Sequence, residues 1–374
     1  VRESRVHFTI GLLTTALSAV SLAALAQAPK AAWQTEWDKV LEGAKKEGRV
    51  VVSIPASTEL RKETEKVFKQ RFGIEVELFG ARGAAVVRRI LEESKAGIHY
   101  FDLHIGGSES LVTGLLAEGI LEPLEPWFLL PEVTEPRNWW GGHIWVDNAK
   151  RYVYSFQAYQ TESIWYHAGP MKAEKIRSFD DLLDSRWQGR IGFLDPRTPG
   201  SGASLWSYLW QIKGEGYLKK LVGQKMLVGR DQRLLAENLA KGNVSLTLGL
   251  TYYSLFPFLK AGLPLKPLPT PKEGVYISGG SGNLAIIKNP PHPNAVKVFV
   301  NWLLSKEGQE LFSRTMGQST RRLDVETKWL QGYGVIGAKD AFPVEQYYKL
   351  ENQSEEKIHK VREPGAAVAR KLLD

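Results

Sequence analysis

The stretch from Trp33 to Leu116 switches three times between helical and strand periodicity, and that alternation constrains the fold more than any other feature of the chain. Trp37, Val40, Leu41 and Ala44 recur at helical spacing, and the unbroken apolar run Val50 to Val52 with Ile54 follows. A run of that kind suits a strand covered on both faces, as in a parallel sheet. Ser57 or Thr58 can cap a helix whose stripe is Leu60, Val67, Phe68 and Phe72, and Gly73 stops it. Ile74 to Phe79 alternates as a second strand. Val86, Val87, Ile90 and Leu91 mark a helix, and Phe101 to Ile105 a third strand ahead of Gly106-Gly107-Ser108 and a further helix. Strand and helix in strict succession predict an α/β unit with a mostly parallel sheet.

A second series of the same kind runs from Ser178 to about Pro271. Its strands are expected at 190–194, 226–228 and 244–248, and its helices at 203–212, 230–241 and 252–261. Between the two series, 123–148 is rich in Pro, Gly and Trp and reads as irregular, while 151–160 and 163–167 are apolar enough for strands. The segment 274–288 returns as strand, and Pro293 opens a helix with Val296, Phe299, Val300, Leu303 and Leu304 on one face. The length of 374 residues corresponds to about 2.5 average domains, in keeping with two such units.

The remaining stretch is an address. Arg2 and Arg5 precede the uncharged run from Phe8 to Ala26, which ends in Ala24-Leu25-Ala26, the small-x-small pattern of a signal peptidase site. A cleavable secretory signal over residues 1–26 is therefore expected. The chain has no cysteine, so it has no disulfide, thiolate metal site or lipid-bearing cysteine, and a soluble exported protein rather than a lipoprotein is predicted. Lys and Arg outnumber Asp and Glu by 49 to 41, but the excess is dispersed and forms no arginine-rich stripe, so no nucleic-acid partner is expected.

Catalytic motifs are missing. No P-loop, His-Glu-x-x-His or Gly-x-Ser-x-Gly occurs, and neither Gly200-Ser201-Gly202 nor Gly279-Gly280-Ser281-Gly282 completes a dinucleotide fingerprint. Asp102 and His104 share a strand face, which a structural hydrogen-bonded pair explains without catalysis.

Several segments, in order, resemble the extracellular solute-binding proteins of ABC transporters, in the branch with ferric-iron, thiamine, polyamine and phosphonate binders. They are Trp37 through Ile54; Ser178 through Ile191; Asp195-Pro196 with Gly200-Ser201-Gly202; and 285–288 with 292–295 and 302–309. Tyr166-His167 stands where such proteins usually carry Tyr-Asn. The resemblance implies a two-lobed periplasmic-binding-protein type II fold, each lobe a mostly parallel sheet flanked by helices, with a ligand cleft between them. It implies residues 27–150 plus 275–320 for lobe 1 and 151–274 plus 321–374 for lobe 2. The function implied is that of a periplasmic, monomeric, non-enzymatic carrier that closes on a small ligand and delivers it to an inner-membrane ABC permease.

Strand ends followed by helix starts offer free backbone N–H groups that favour anions. On that ground Ser57, Thr58, Gly107 and Ser108 are candidates in lobe 1, and Gly200, Ser201, Gly202 and Ala203 in lobe 2; the same residues also serve as plain caps and turns. The resemblance adds Tyr166 and, as metal ligands, the adjacent Tyr252 and Tyr253, since iron-type members carry paired tyrosines at this point. Ferric iron prefers anionic oxygen, which tyrosinate supplies. Iron-type members also place a His or Tyr after the first strand, where this chain has Ala56-Ser57-Thr58-Glu59. No resident cofactor is expected; Fe3+ or a ferric complex would be cargo. The alternatives are a small organic anion such as a carboxylate or phosphonate, a sugar, polyamine or thiamine, and, in another class, an exported enzyme on the same fold. Trp165, Trp206 and Trp210 are either stacking platforms or core.

Overall fold

A computed structural model describes residue 1 and residues 30–81, 83–161, 164–169 and 176–374. The expected signal segment lies outside the described residues, apart from residue 1. Fifteen strands are described, as follows. They are β1 (Arg49–Ile54), β2 (Glu75–Gly80), β3 (Leu103–Gly106), β4 (Leu121–Glu122), β5 (Ile144–Trp145), β6 (Tyr154–Ser155), β7 (Tyr159–Thr161) and β8 (Ile164–His167). The rest are β9 (Ile191–Leu194), β10 (Leu227–Gly229), β11 (Leu246–Leu248), β12 (Leu265–Pro267), β13 (Ile277–Ser278), β14 (Asn283–Ile287) and β15 (Val335–Gly337).

They form three sheets. The first is ordered β2-β1-β3-β14-β6-β5, with β4 also paired to β14; the second is β10-β9-β11-β8-β12; the third is β13-β7-β15. β1 runs parallel to both β2 and β3, and β9 parallel to both β10 and β11, as the strand–helix alternation predicts. β14 and β8 enter antiparallel.

The unbroken apolar strands are covered on both faces. Val50, Val52 and Ile54 of β1 join one core cluster and Val51 joins the cluster on the opposite face. In the second sheet Ile191, Phe193, Leu246 and Leu248 face one cluster, while Trp165 and Leu194 face another. Trp206 is wholly buried and donates its indole N–H to the Gly365 carbonyl at 3.0 Å, so Trp165 and Trp206 are core, and Trp210 packs against the same cluster as Trp206.

Several boundaries differ from expectation. The stretch 151–160 divides between two sheets, β6 closing the first and β7 entering the third. The helix expected at 203–212 extends over Ser201–Val222, interrupted at Gly214 (φ 76°, ψ 175°). Residues 123–148 contain short 3-10 turns and β5.

The small third sheet is where the chain passes between the two large ones. β7 leads from the first sheet towards the second, β13 leads back antiparallel to it, and β15 adds a strand from the tail. The tail serves both sides, whereas the resemblance put all of 321–374 on lobe 2. Arg321 donates to the carbonyls of Ser155, Trp140 and Gly142, and Ile358 is buried in a core of the first sheet. The helix Glu363–Leu373 instead packs on Ser201–Val222, with Ala369 in the second sheet's core.

Candidate ligand-binding site

In both large sheets the chain turns from a parallel strand into a helix start. Beyond β1, Ser57 caps the helix Thr58–Phe72, its hydroxyl accepting the Leu60 N–H at 3.2 Å, while Thr58 is exposed. Beyond β3, Gly107 precedes the helical turn Ser108–Ser110, and Ser108 and Glu109 are buried. Beyond β9, Gly200 adopts φ 151°, a conformation that favours glycine, and opens the helix Ser201–Val222. The first intrahelical bond runs from the Ser204 N–H to the Gly200 carbonyl, leaving the N–H groups of Ser201, Gly202 and Ala203 ahead of it. The Ser201 hydroxyl is spent on the Gly249 carbonyl at 2.6 Å. Gly202 must be glycine: a Cβ there would lie 2.1 Å from the Leu194 carbonyl oxygen.

Arg362 joins the two groups of strand ends. It comes from the far end of the tail, is 5% exposed, pairs with the Glu109 carboxylate and donates to the Gly200 carbonyl at 3.3 Å. Its Nε is buried without a hydrogen-bond partner among the described residues. Tyr276 lies beside it. Burial pushes that phenol up to about 12, against the opposing pull of Arg362 and a hydrogen bond with Ser204.

Tyr252 and Tyr253 begin the helix Tyr252–Lys260 beyond β11, and their phenols diverge. Tyr252 stacks edgewise on Tyr333 with centroids 4.8 Å apart and covers Gly317; burial, then Tyr333, pushes it up to about 12. Tyr253 is half-buried and accepts from the Gln232 amide at 3.2 Å. Burial raises its pKa, while bonds with Thr251 and Gln232 pull it down. It also packs against a core of the first sheet and lies near Tyr159, whose pKa is raised by burial, then by Tyr276 and Tyr253. Tyr253 thus comes from a helix of the second sheet and reaches a core of the first. Among the described residues no group of three or more His, Asp or Glu side chains is placed to hold a metal ion.

Tyr166 is not brought to this place. It lies in the middle of the second sheet, opposite Leu246 and Lys266, with its ring in the core. Asp102 and His104 do not pair with each other. Asp102 binds His292 at 2.9 Å, and His104 binds the Ser53 hydroxyl at 2.6 Å. Asp195, at the end of β9, is held at about 2: burial works to raise it, but Arg197 and Arg230 prevail. Arg362, Glu109, Tyr276, Tyr159 and Gln232 carry no local sequence signal; only long-range packing collects them.

A cavity of about 680 Å3 opens elsewhere, against the helix Ala32–Glu47, and is lined by Trp33, Trp37, Phe72 and Trp302. Its rim charges pair among themselves, Arg71 with Glu307 at 3.8 Å and Lys306 with Glu310 at 3.5 Å. The strand ends, where buried charge and helix-start N–H groups converge, are the stronger site.

Residues 49–315 match the family described as bacterial extracellular solute-binding protein. The chain belongs to that family. This solute-binding protein is 25% identical over 277 residues to an uncharacterized protein of Haemophilus influenzae, covering 72% of this chain and 76% of that one. Among solved structures it is similar to iron-bound HitA from Pseudomonas aeruginosa, with a TM-score of 0.63 and 17% identity over 87% of this chain and 99% of that one. It is also similar to AfuA from Actinobacillus pleuropneumoniae with exogenous fructose-6-phosphate bound, with a TM-score of 0.62 and 19% identity over 86% and 99%. These likenesses establish the type II fold of two helix-flanked sheets. Among the described residues no helix is long and apolar enough to cross a membrane.

Proposed function

We propose that this solute-binding protein is the periplasmic component of an ABC importer, that it captures a small anionic solute by closing its two lobes, and that it hands the solute to a membrane permease. The lobes follow the sheets, with the described residues of 30–150 and 275–320 forming most of lobe 1 and the Ser178–Pro271 series most of lobe 2. The observation that carries the anion is the buried Arg362 guanidinium, with a free Nε, beside the uncapped start of Ser201–Val222. Glu109 takes one terminal nitrogen of the guanidinium, and the unpaired Nε together with the N–H groups of Ser201, Gly202 and Ala203 remain as donors that suit an anionic group. A ligand touching both lobes favours the closed form, because only closure makes both sets of contacts.

Ferric iron, alone or as a complex, is the second reading. The buried phenols Tyr159 and Tyr276 and the half-buried Tyr253 favour it, since phenolate oxygen suits ferric iron, and iron stands in the name of the HitA structure. The distinguishing experiment is a thermal-shift panel of phosphonates, carboxylates, sugar phosphates, ferric salts, ferric citrate, thiamine and polyamines. Ligand at a hundredfold its Kd stabilises by about 2.7 kcal/mol, which for a chain of this length is an upward shift of about 4 °C. The anion reading requires that shift from an iron-free anion and its loss in Arg362→Met. A shift only with ferric iron, together with a visible tyrosinate band abolished by Tyr253→Phe, establishes the iron reading instead. Chemical turnover of a panel compound would place the protein among enzymes.

A further inference from the structure

Tyr252 belongs to the second sheet's side of the molecule, and partners from outside that side bury it. Its helix follows β11, and Leu255, nearly one turn on, lies in a core of the second sheet. Gly317, which the ring covers, caps the helix Lys306–Met316, whose Phe312 and Met316 lie in a core of the first sheet. Tyr333 ends the 3-10 turn Lys328–Tyr333. That turn is held by Leu330, wholly buried with Tyr159 and Val335 of the third sheet, and by Thr327, whose hydroxyl bonds that of Ser319 at 2.8 Å. We infer that the Tyr252 ring is an aromatic clasp, closed on Gly317 and on Tyr333 of the tail, that holds the two lobes together before any solute arrives. The inference rests on the lobe closure proposed above and not on the identity of the solute.

Four rings stand in a row. Centroids are 6.2 Å apart from Trp329 to Tyr333, 4.8 Å from Tyr333 to Tyr252 and 5.6 Å from Tyr252 to Phe256. The outer two contacts are i,i+4 pairs that steady the rings they flank. Only the middle one joins distant parts of the chain. Tyr252 is 6% exposed, so lifting it off Gly317 and Tyr333 returns the ring to water. Burial, then Tyr333, pushes its phenol up to about 12, so at neutral pH the ring is uncharged and packs as an apolar group. A Cβ at Gly317 would lie 1.9 Å from the ring, so the seat exists only while that position is glycine. Tyr253 beside it reaches a core of the first sheet, which puts two successive side chains of one lobe on the other. Tyr333 lies beyond the residues 49–315 that match the family, so the tail completes the clasp.

The chain has no cysteine, so two introduced cysteines carry spin labels without interference. With Lys62→Cys on the helix Thr58–Phe72 and Lys220→Cys on Ser201–Val222, both exposed, double electron–electron resonance on the solute-stripped chain reads the lobe separation. The native background should give mainly the short, closed distance. Tyr333→Ala should raise the open-to-closed ratio by about twofold to tenfold, the range expected for losing one aromatic pair. Tyr252→Ala should raise it at least as far, and the double variant no further than Tyr252→Ala alone. Tyr252→Phe keeps the ring and should leave the ratio unchanged. Trp329→Ala, at the exposed end of the row, is a milder variant that should shift the ratio in the same direction. The inference is overturned if the native chain is already mostly open, or if Tyr252→Phe opens it as far as Tyr252→Ala, which would make the phenol oxygen the working group. If Arg362→Met opens the chain and the alanine variants do not, the clasp falls and lobe closure stands. If none of these variants changes the distances, both fall.

Discussion

Replacing Arg362 by methionine tests whether the lobes rest closed. The substitution keeps most of the side-chain volume and leaves the Glu109 carboxylate buried without its partner. Breaking a buried pair from one side costs about 3–5 kcal/mol. Here the pair spans two lobes, so the molecule has a second response: it can open and hydrate Glu109. The loss is then capped by the free energy of opening. Arg362→Met should lower the unfolding free energy in urea by about 1–5 kcal/mol and raise the small-angle X-ray radius of gyration above the roughly 20 Å typical of a compact chain this long. Adding Glu109→Gln should return much of the loss, giving a coupling energy of at least about 1 kcal/mol in a double-mutant cycle. A coupling below about 0.5 kcal/mol with unchanged scattering would refute the reasoning, because the pair would then not exist in solution.

Other sites give independent checks. Gly317 has φ 61°, and a Cβ there would lie 1.9 Å from the Tyr252 ring. Gly317→Ala should therefore cost more than the about 1–2 kcal/mol of left-handed strain in the native background, and only that strain when Tyr252→Ala is also present, as read by urea unfolding. Gly202→Ala sets a methyl against the Leu194 carbonyl and should cost about 1–3 kcal/mol and weaken anion binding in calorimetry. Burial holds His104 neutral, with its pKa lowered to about 4. The unfolded chain binds that proton near pH 6.5, so this contribution is complete above pH 6.5 and is lost as pH falls towards 4, by up to about 3 kcal/mol. The pH dependence of the urea midpoint should flatten over that window in His104→Gln.

The large sheets were legible because their strands are unbroken apolar runs and their helices start and stop on readable residues. Val50 to Val52 read as a strand buried on both faces, and Ser57 and Gly73 bracket the next helix as their chemistry requires. The crossing region was less legible. Tyr154–Ser155 and Tyr159–Thr161 form one apolar stretch in sequence, and only their partners assign them to different sheets. At the site, strand-end reasoning found the Gly200–Ala203 helix start and missed its counter-charge. Arg362 and Glu109 lie 253 positions apart, and no local periodicity announces such a contact. The Tyr252-Tyr253 pair was visible as a pair, but its partners were not: Tyr252 meets Tyr333 and Tyr253 meets Gln232, both distant in sequence.

The tail explains how charge and closure are joined. It is fixed to the first sheet through Arg321 and the buried Ile358, and to the second through the helix Glu363–Leu373, whose Asp374 pairs with Arg197 at 2.6 Å. Between these anchors lies a single π-helical turn, Ile358–Arg362. Any change in the angle between the sheets must be taken up in that turn as well as in β7 and β13. A π-turn is poorly bonded and deforms more readily than an α-helix. Arg362 is its last residue and its carbonyl accepts from the Ser207 hydroxyl of the Ser201–Val222 helix at 3.4 Å, so rotation of the lobes would carry the guanidinium towards or away from Glu109. On the proposed reading, ligand affinity and lobe angle would both depend on this one side chain, which lies beyond the residues 49–315 that match the family.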